Sequence, residues 1–378
     1  MEWKEIIPDK NNDWINQRDE KYMNFLKLHE DVFKERISGI GTKRDSWVIN
    51  FSKDNLGKSV ITMIDSYEES RKILNNGGAH ADVVSEESLI KWSRGLWQFI
   101  DRNNSLNFDE DCIVTIMYRP FAKKYHYYSK GIVEYPGRYK DFKNVMIYST
   151  GRGISRDYSS LMVNLPVESA LEDKGQGFCL KSLNNDGLFD ADYNIEKIFG
   201  LSHIESFYYV YGILHSKDYR DKYANDLQKA LPRIPEVENK EKYVDIGKKL
   251  ADLHLNYEDV PAYDNVNIVF KSDNPSFKVK KMKHPKRGQL DTIIFNEDIV
   301  ITDIPERAYE YVVNGKPAIE WIIDQYQVKK DKKSGIVDDP NEFSDNPKYI
   351  FNLLLSIINV SMQTMDLVES LPPLEIIE

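Results

Sequence analysis

The first long amphipathic repeat lies between residues 52 and 74, where Leu56, Val60, Met63, Ile64, Tyr67 and Leu74 recur at helical spacing. Ser52 can cap its start and Asn75-Asn76-Gly77-Gly78 can end it, so the pattern predicts one helix with both ends marked. A second apolar stripe, Leu89, Trp92, Leu96, Phe99 and Ile100, predicts a helix over 86–101. After Asn103-Asn104 the period shortens. Residues 112–118, 124–129 and 144–149 are β-branched and aromatic with Gly/Pro punctuation, which predicts strands, as does 46–51 earlier in the chain. Residues 157–180 end in a Gly175/Gly177 turn and a short strand through Cys179, and Asn184-Asn185-Asp186-Gly187 reads as a polar loop. Helical spacing returns over 204–230 and 241–256, and strands return in NVNIVF, FKVKKM, TIIFN and IVIT between 265 and 301. The C-terminal part reads as a short helix near 305–313, a helix begun by Pro317, a polar loop over 329–346 and a helix over 348–369 started by Asn346-Pro347. Residues 12–22 read as a docking strap with Trp14 and Ile15 as its anchors. The expected fold is mixed α+β: an N-terminal connector and helical segment (1–107), a mixed core (108–303) and a helical C-terminal segment (304–378).

Charge changes this picture more than overall composition does. The chain is acidic, with a net charge of −10, yet residues 118–156 hold nine Lys/Arg against two acids, Glu134 and Asp141. Nine aromatics from Tyr118 to Tyr148 are interleaved with those cations. A second stretch, 276–290, carries six cations (Lys278, Lys280, Lys281, Lys283, Lys286, Arg287), His284 and no acid. Cations neutralise phosphates and aromatic rings pack against sugar–phosphate surfaces, so both windows are candidates for nucleic-acid contact. The first window ends in Ser149-Thr150-Gly151-Arg152-Gly153-Ile154-Ser155-Arg156, where two glycines permit a close backbone approach.

Catalytic constellations are missing from the text. No two of the seven histidines share the helical spacing of a zinc site, and there is no Gly-x-Ser-x-Gly, His-Glu-x-x-His or adenine-methyltransferase Asn-Pro-Pro-Tyr. Leu56-Gly57-Lys58-Ser59 imitates the end of a P-loop, but Ser52 stands where the first glycine belongs and the element continues as a helix. Asp338-Asp339 reads as solvent-facing. Two cysteines suit a reducing, cytoplasmic setting. No run of about 18 apolar residues suggests a membrane span.

Several texts together resemble one family: NDWINQRD (12–19), TKRDSWVINFSKDNL (42–56), YRPF (118–121) and ALEDKGQGFCL (170–180). So do FYYVYGILHSKDYRDKYANDLQKALPRIP (207–235), GKKLADLHLNYE (247–258) and NGKPAIEWIIDQYQVKKDKKSGIVDDPN (314–341). The chain is similar to the C-terminal region of single-chain type ISP restriction–modification enzymes, often labelled helicases for their upstream motor. In that family one polypeptide joins a nuclease, a helicase-like translocase, a coupler, an adenine-specific methyltransferase and a target-recognition domain. The resemblance implies a non-catalytic, sequence-specific reader of duplex DNA that begins near the end of the methyltransferase. Its helical and acidic faces would dock on the methyltransferase and motor domains, and S-adenosylmethionine, ATP and Mg would belong to the parent enzyme, with no cofactor or metal in this chain. The base-reading candidates are Arg152, Ser155 and Arg156; the phosphate candidates are Lys43, Arg44, Arg138, Lys140, Lys280, Lys281, Lys283 and Arg287. The competing expectation is a protein–protein scaffold whose basic windows face acidic neighbours in the parent enzyme and never meet DNA.

Overall fold

A computed structural model describes residues 6–9, 12–139, 142–183 and 192–377. The expected loop at Asn184–Gly187 and the phosphate candidate Lys140 lie outside the described residues. The architecture is mixed α+β, as the patterning predicts, with helices set around several small antiparallel sheets.

A four-stranded antiparallel sheet divides the interior. Its order is Ile37–Ser38, Gln176–Cys179, Met146–Ser149, Ser160–Val163. All residues of Met146–Ser149 and Ser160–Val163 are buried, and strand alternation sends them to opposite sides. Met146, Tyr148, Leu161, Val163 and Cys179 enter the larger core; Ile147, Met162 and Phe178 enter the smaller one. The larger core draws Trp47, Ile116 and Ile319 from all three segments that the patterning separates. The smaller core is built on His203–His215 and Lys240–Leu255. These two helices cross at glycines: a Cβ on Gly247 would lie 2.0 Å from the Tyr208 carbonyl oxygen, and one on Gly212 2.3 Å from that of Tyr243.

The helix Lys53–Asn75 forms with Ser52 accepting from the Asn55 amide at 3.2 Å, and the P-loop-like text lies inside it. Other expectations give way to tertiary contacts. The helix expected over 86–101 begins only at Arg94, because Ser93 caps it and the Glu134 carboxylate binds the Gly95 amide at 2.9 Å. Residues 46–51 start as a helical turn, Asp45–Val48, before the two-residue strand Ile49–Asn50. The span 204–230 is three helices, His203–His215, Lys217–Lys222 and Ala224–Lys229, broken where Ser216 caps the second. FKVKKM forms no ladder strand. The polar loop 329–346 contains a hairpin, Lys329–Lys330 paired with Val337–Asp338. Trp14 and Ile15, expected as buried anchors, are 62% and 70% exposed. Helix Tyr349–Glu369 is long and apolar enough to cross a membrane, contrary to the sequence expectation, but most of its apolar stretch is buried against the protein.

Candidate nucleic-acid interface

Folding commits four cations of the first basic window to distant acids. Arg119 lies 4.0 Å over the Tyr118 ring and binds Glu168 at 2.5 Å; Lys123 binds Glu258 at 2.8 Å; Arg138 binds Glu35 at 3.3 Å. Lys124 is 4% exposed and paired with Asp338 at 2.5 Å. Burial pulls the Lys124 ammonium's pKa down, and Asp338 opposes that pull. Asp338 is therefore not a solvent-facing carboxylate: it also accepts from the Phe51 amide at 2.8 Å.

Arg44 is the plainest correction. Assigned to phosphate, it is completely buried, donating to the Ile132 carbonyl at 2.8 Å and to Ser93. Burial lowers its pKa to about 10, with Glu134 acting the other way. Its neighbour Lys43 has φ 60°, which turns that side chain outward, and its Nζ lies 5.9 Å from the Tyr135 ring centre. Adjacent cations thus part company, one into the core and one into solvent.

The glycine turn is built by close packing. A Cβ on Gly151 would lie 2.1 Å from the Lys174 carbonyl oxygen, and Gly153 has φ 66°. Ile154 is buried and its amide binds the Gln228 carbonyl at 3.0 Å, so the turn is pinned in the middle. Arg152 and Ser155 are exposed on either side, with no hydrogen bond or ion pair to the described residues. Arg156 differs: its Nη1 binds the Asn314 carbonyl at 2.8 Å and its side chain packs on Gly315, latching the 312–317 hairpin. It positions neighbouring structure with the atoms expected to read a base.

The second window is organised the other way. Val279 and Met282 are buried and hold the segment down. The Val279 backbone is bracketed by the Asn341 side chain at 2.8 Å on both sides, and Lys283 pairs with Ile294. His284 is fixed between the Thr292 carbonyl at 2.8 Å and Glu320 at 2.7 Å. Lys278, Lys280, Lys281, Lys283, Lys286 and Arg287 all remain exposed, and none ion-pairs among the described residues.

Sequence reading missed the lysines beside this stretch. The Val328 amide binds the Lys280 carbonyl at 3.0 Å, bringing hairpin 329–338 alongside. The signal for it was turn chemistry in Asp331-Lys332-Lys333-Ser334-Gly335, hidden inside what looked like an unstructured polar run. A cleft of about 550 Å³ separates the hairpin from Tyr118 and Arg119. A second cleft of about 360 Å³ continues past Asp45 to Lys43 and Tyr135.

Among the described residues no three His, Cys, Asp or Glu side chains gather as a metal site. Glu172 is buried, with a pKa raised to about 8 by desolvation, but it accepts from Ser159 at 2.7 Å in the interior. His254 is likewise internal, bridging the Tyr211 hydroxyl at 2.6 Å and Thr364 at 2.9 Å.

The fold superposes over the whole chain, with a TM-score of 0.92 and 48% identity, on a nuclease-deletion mutant of the Type ISP restriction–modification enzyme LlaGI in complex with a DNA substrate mimic. It matches the ATP-dependent Type ISP enzyme LlaBIII bound to DNA over 98% of its length, at TM-score 0.87 and 42% identity. The DrdV–DNA complex shares the fold at TM-score 0.84 and 23% identity, over 100% of this chain and 41% of that one. This chain spans 31% of the LlaGI chain and 26% of LlaBIII. No curated protein matches it. The family model of the Type ISP C-terminal specificity domain matches residues 31–353, and the chain belongs to that family.

Proposed function

We propose that this chain recognises the duplex DNA target of a type ISP restriction–modification enzyme and is itself non-catalytic. The observation that carries the reading is the exposed stretch of Lys278, Lys280, Lys281, Lys283, Lys286 and Arg287, free of acidic partners among the described residues, on the fold of two DNA-bound relatives. Lys280, Lys281, Lys283 and Arg287 contact phosphates and set register, with Lys43 a further contact across the clefts. Arg152 and Ser155, carried on a pinned turn, are the base-reading candidates. Arg156 supports them by fixing the adjacent hairpin. S-adenosylmethionine, ATP and Mg serve the parent enzyme. Ile6, Ile7, Trp14 and Ile15 give the N-terminal strap an exposed apolar edge suited to the methyltransferase or motor.

Fluorescence anisotropy of the chain with labelled duplex DNA tests this. With roughly six phosphate contacts, affinity should fall about a thousandfold between 50 and 200 mM salt. Absence of binding at the lower salt would favour a scaffold that docks only on protein.

A further inference from the structure

Hairpin 329–338 is a built element. Its strands Lys329–Lys330 and Val337–Asp338 pair antiparallel. The connecting turn is organised by one carboxylate: Asp331 Oδ1 accepts from the Lys333 amide at 3.1 Å and from the Ser334 amide and hydroxyl at 2.8 Å each. The Asp331 amide donates to the Ile336 carbonyl at 2.9 Å, and Gly335 takes φ 74° to close the turn. At the base, Asp338 joins the hairpin to buried Lys124, and Asn50 donates to the Val337 carbonyl at 3.0 Å. Val328 ties its entry to Lys280.

That framework presents four exposed lysines. Lys329 donates to the Asp324 carbonyl at 3.0 Å, and Lys333 pairs with Glu87 at 2.9 Å. Lys330 and Lys332 have no hydrogen-bond or ion-pair partner from their side chains among the described residues. The only acid in the turn, Asp331, is occupied by the Ser334 amide and hydroxyl and the Lys333 amide, which hold its carboxyl below the usual range. Segment 278–283 and the entry of the hairpin thus meet at the Val328–Lys280 backbone bond, and both segments carry exposed cations. Lysine is a flexible point charge, suited to a phosphate rather than to the two-atom edge of a base. A ribbon of lysines held on a fixed frame fits a polyanion of regular spacing.

We propose that hairpin 329–338 is a second phosphate-binding element for duplex DNA, with Lys330 and Lys332 as its contacts, acting beside Lys280 and Lys281. Asp331 and the Lys124–Asp338 pair are positioning residues that hold the ribbon in place. This rests on the DNA-recognition reading above and adds a contact surface to it.

The test is a salt titration of the chain carrying Lys330→Ala and Lys332→Ala together, with random and fixed-sequence duplexes. Two lost phosphate contacts should lower the slope of log affinity against log salt by about 1.8, and weaken binding about sixtyfold at 0.1 M salt, equally for every sequence. The melting temperature should not change. An unchanged slope, with Lys280→Ala and Lys281→Ala still lowering it, would overturn the hairpin assignment and leave the DNA reading standing. Failure of the unaltered chain to bind at 50 mM salt would overturn both. Asp331→Ala separates geometry from charge. Removing a carboxylate strengthens binding if bulk charge alone matters, which would overturn the positioning role; weakening by severalfold, with all four lysines intact, is the expected result.

Discussion

The two basic windows look alike in the sequence and do opposite work in the fold. In 118–156, Arg119, Lys123, Lys124 and Arg138 find acids 49 to 214 residues away. In 278–287, no cation does so among the described residues. The difference lies in what each stretch packs against. The first supplies strands beside the larger core, so its side chains emerge where Glu168, Glu258 and Asp338 arrive from elsewhere. The second is fastened by Val279, Met282, the His284 ring and the Asn341 side chain, which leaves its Lys and Arg side chains facing out. Charge counted along a chain measures supply; only the fold decides how much of it faces a partner.

The sharpest way to break the comparison is Arg44→Ala. If the cations near the first window are structural, removing this buried one should destabilise the chain by about 3–5 kcal/mol, read as a lowered denaturation midpoint. A midpoint within experimental error of the unaltered chain would mean that Arg44 contributes no core stability. Glu172→Gln probes the same interior on the pH axis. The folded-state pKa of Glu172, about 8, stands above the unfolded value, so the unfolded chain ionises first. Stability should then fall as pH rises from about 4.5 to 8, and the Gln variant should lack that decline and gain about 3 kcal/mol at pH 7. Parallel stability–pH curves for the two proteins would refute this.

On the outward side, Arg152→Ala should remove about 1–3 kcal/mol of discrimination at one base position, seen by sequencing duplexes selected from a random pool. An identical selected consensus would place base reading elsewhere. The smallest effects make the cleanest contrast. Lys281→Ala should weaken binding to all duplexes about eightfold at 0.1 M salt, with no change in melting. Lys123→Ala should cost about 0–1 kcal/mol of stability and leave affinity alone. Equal DNA effects for the two lysines would erase the distinction between the windows.

What could be read in advance follows from where the determining contacts lie. Lys53–Asn75 was legible because its cap, apolar period and stop are all local, and Lys240–Leu255 and Tyr349–Glu369 because their apolar period is. Strands Ile113–Arg119 and Ala122–Tyr127 were legible because their partner is the neighbouring strand. Illegible features depend on residues far off in sequence. Glu134, 39 residues from Gly95, sets where the helix Arg94–Asp101 begins. Asn341, 62 residues away, meets the backbone needs of Val279 and replaces a ladder that FKVKKM would otherwise require. For the site, the glycine turn and the exposed 278–287 lysines were visible as composition. That Arg44 points inward depends on the Ile132 carbonyl, 88 residues ahead, and no local pattern announces it.

Strands Met146–Ser149 and Ser160–Val163 of the four-stranded sheet have no outer face. Ile147 and Tyr148 are neighbours in one strand, yet each belongs to a different core, and the same holds for Phe178 and Cys179. Opening either core strips one side of a wall that the other still needs, so neither half can come apart and leave the other intact. A chain long enough to split into independent folding units should therefore melt in one cooperative step. The amides of Met146–Ser149 should be among the last to exchange with solvent, opening only when the whole molecule does.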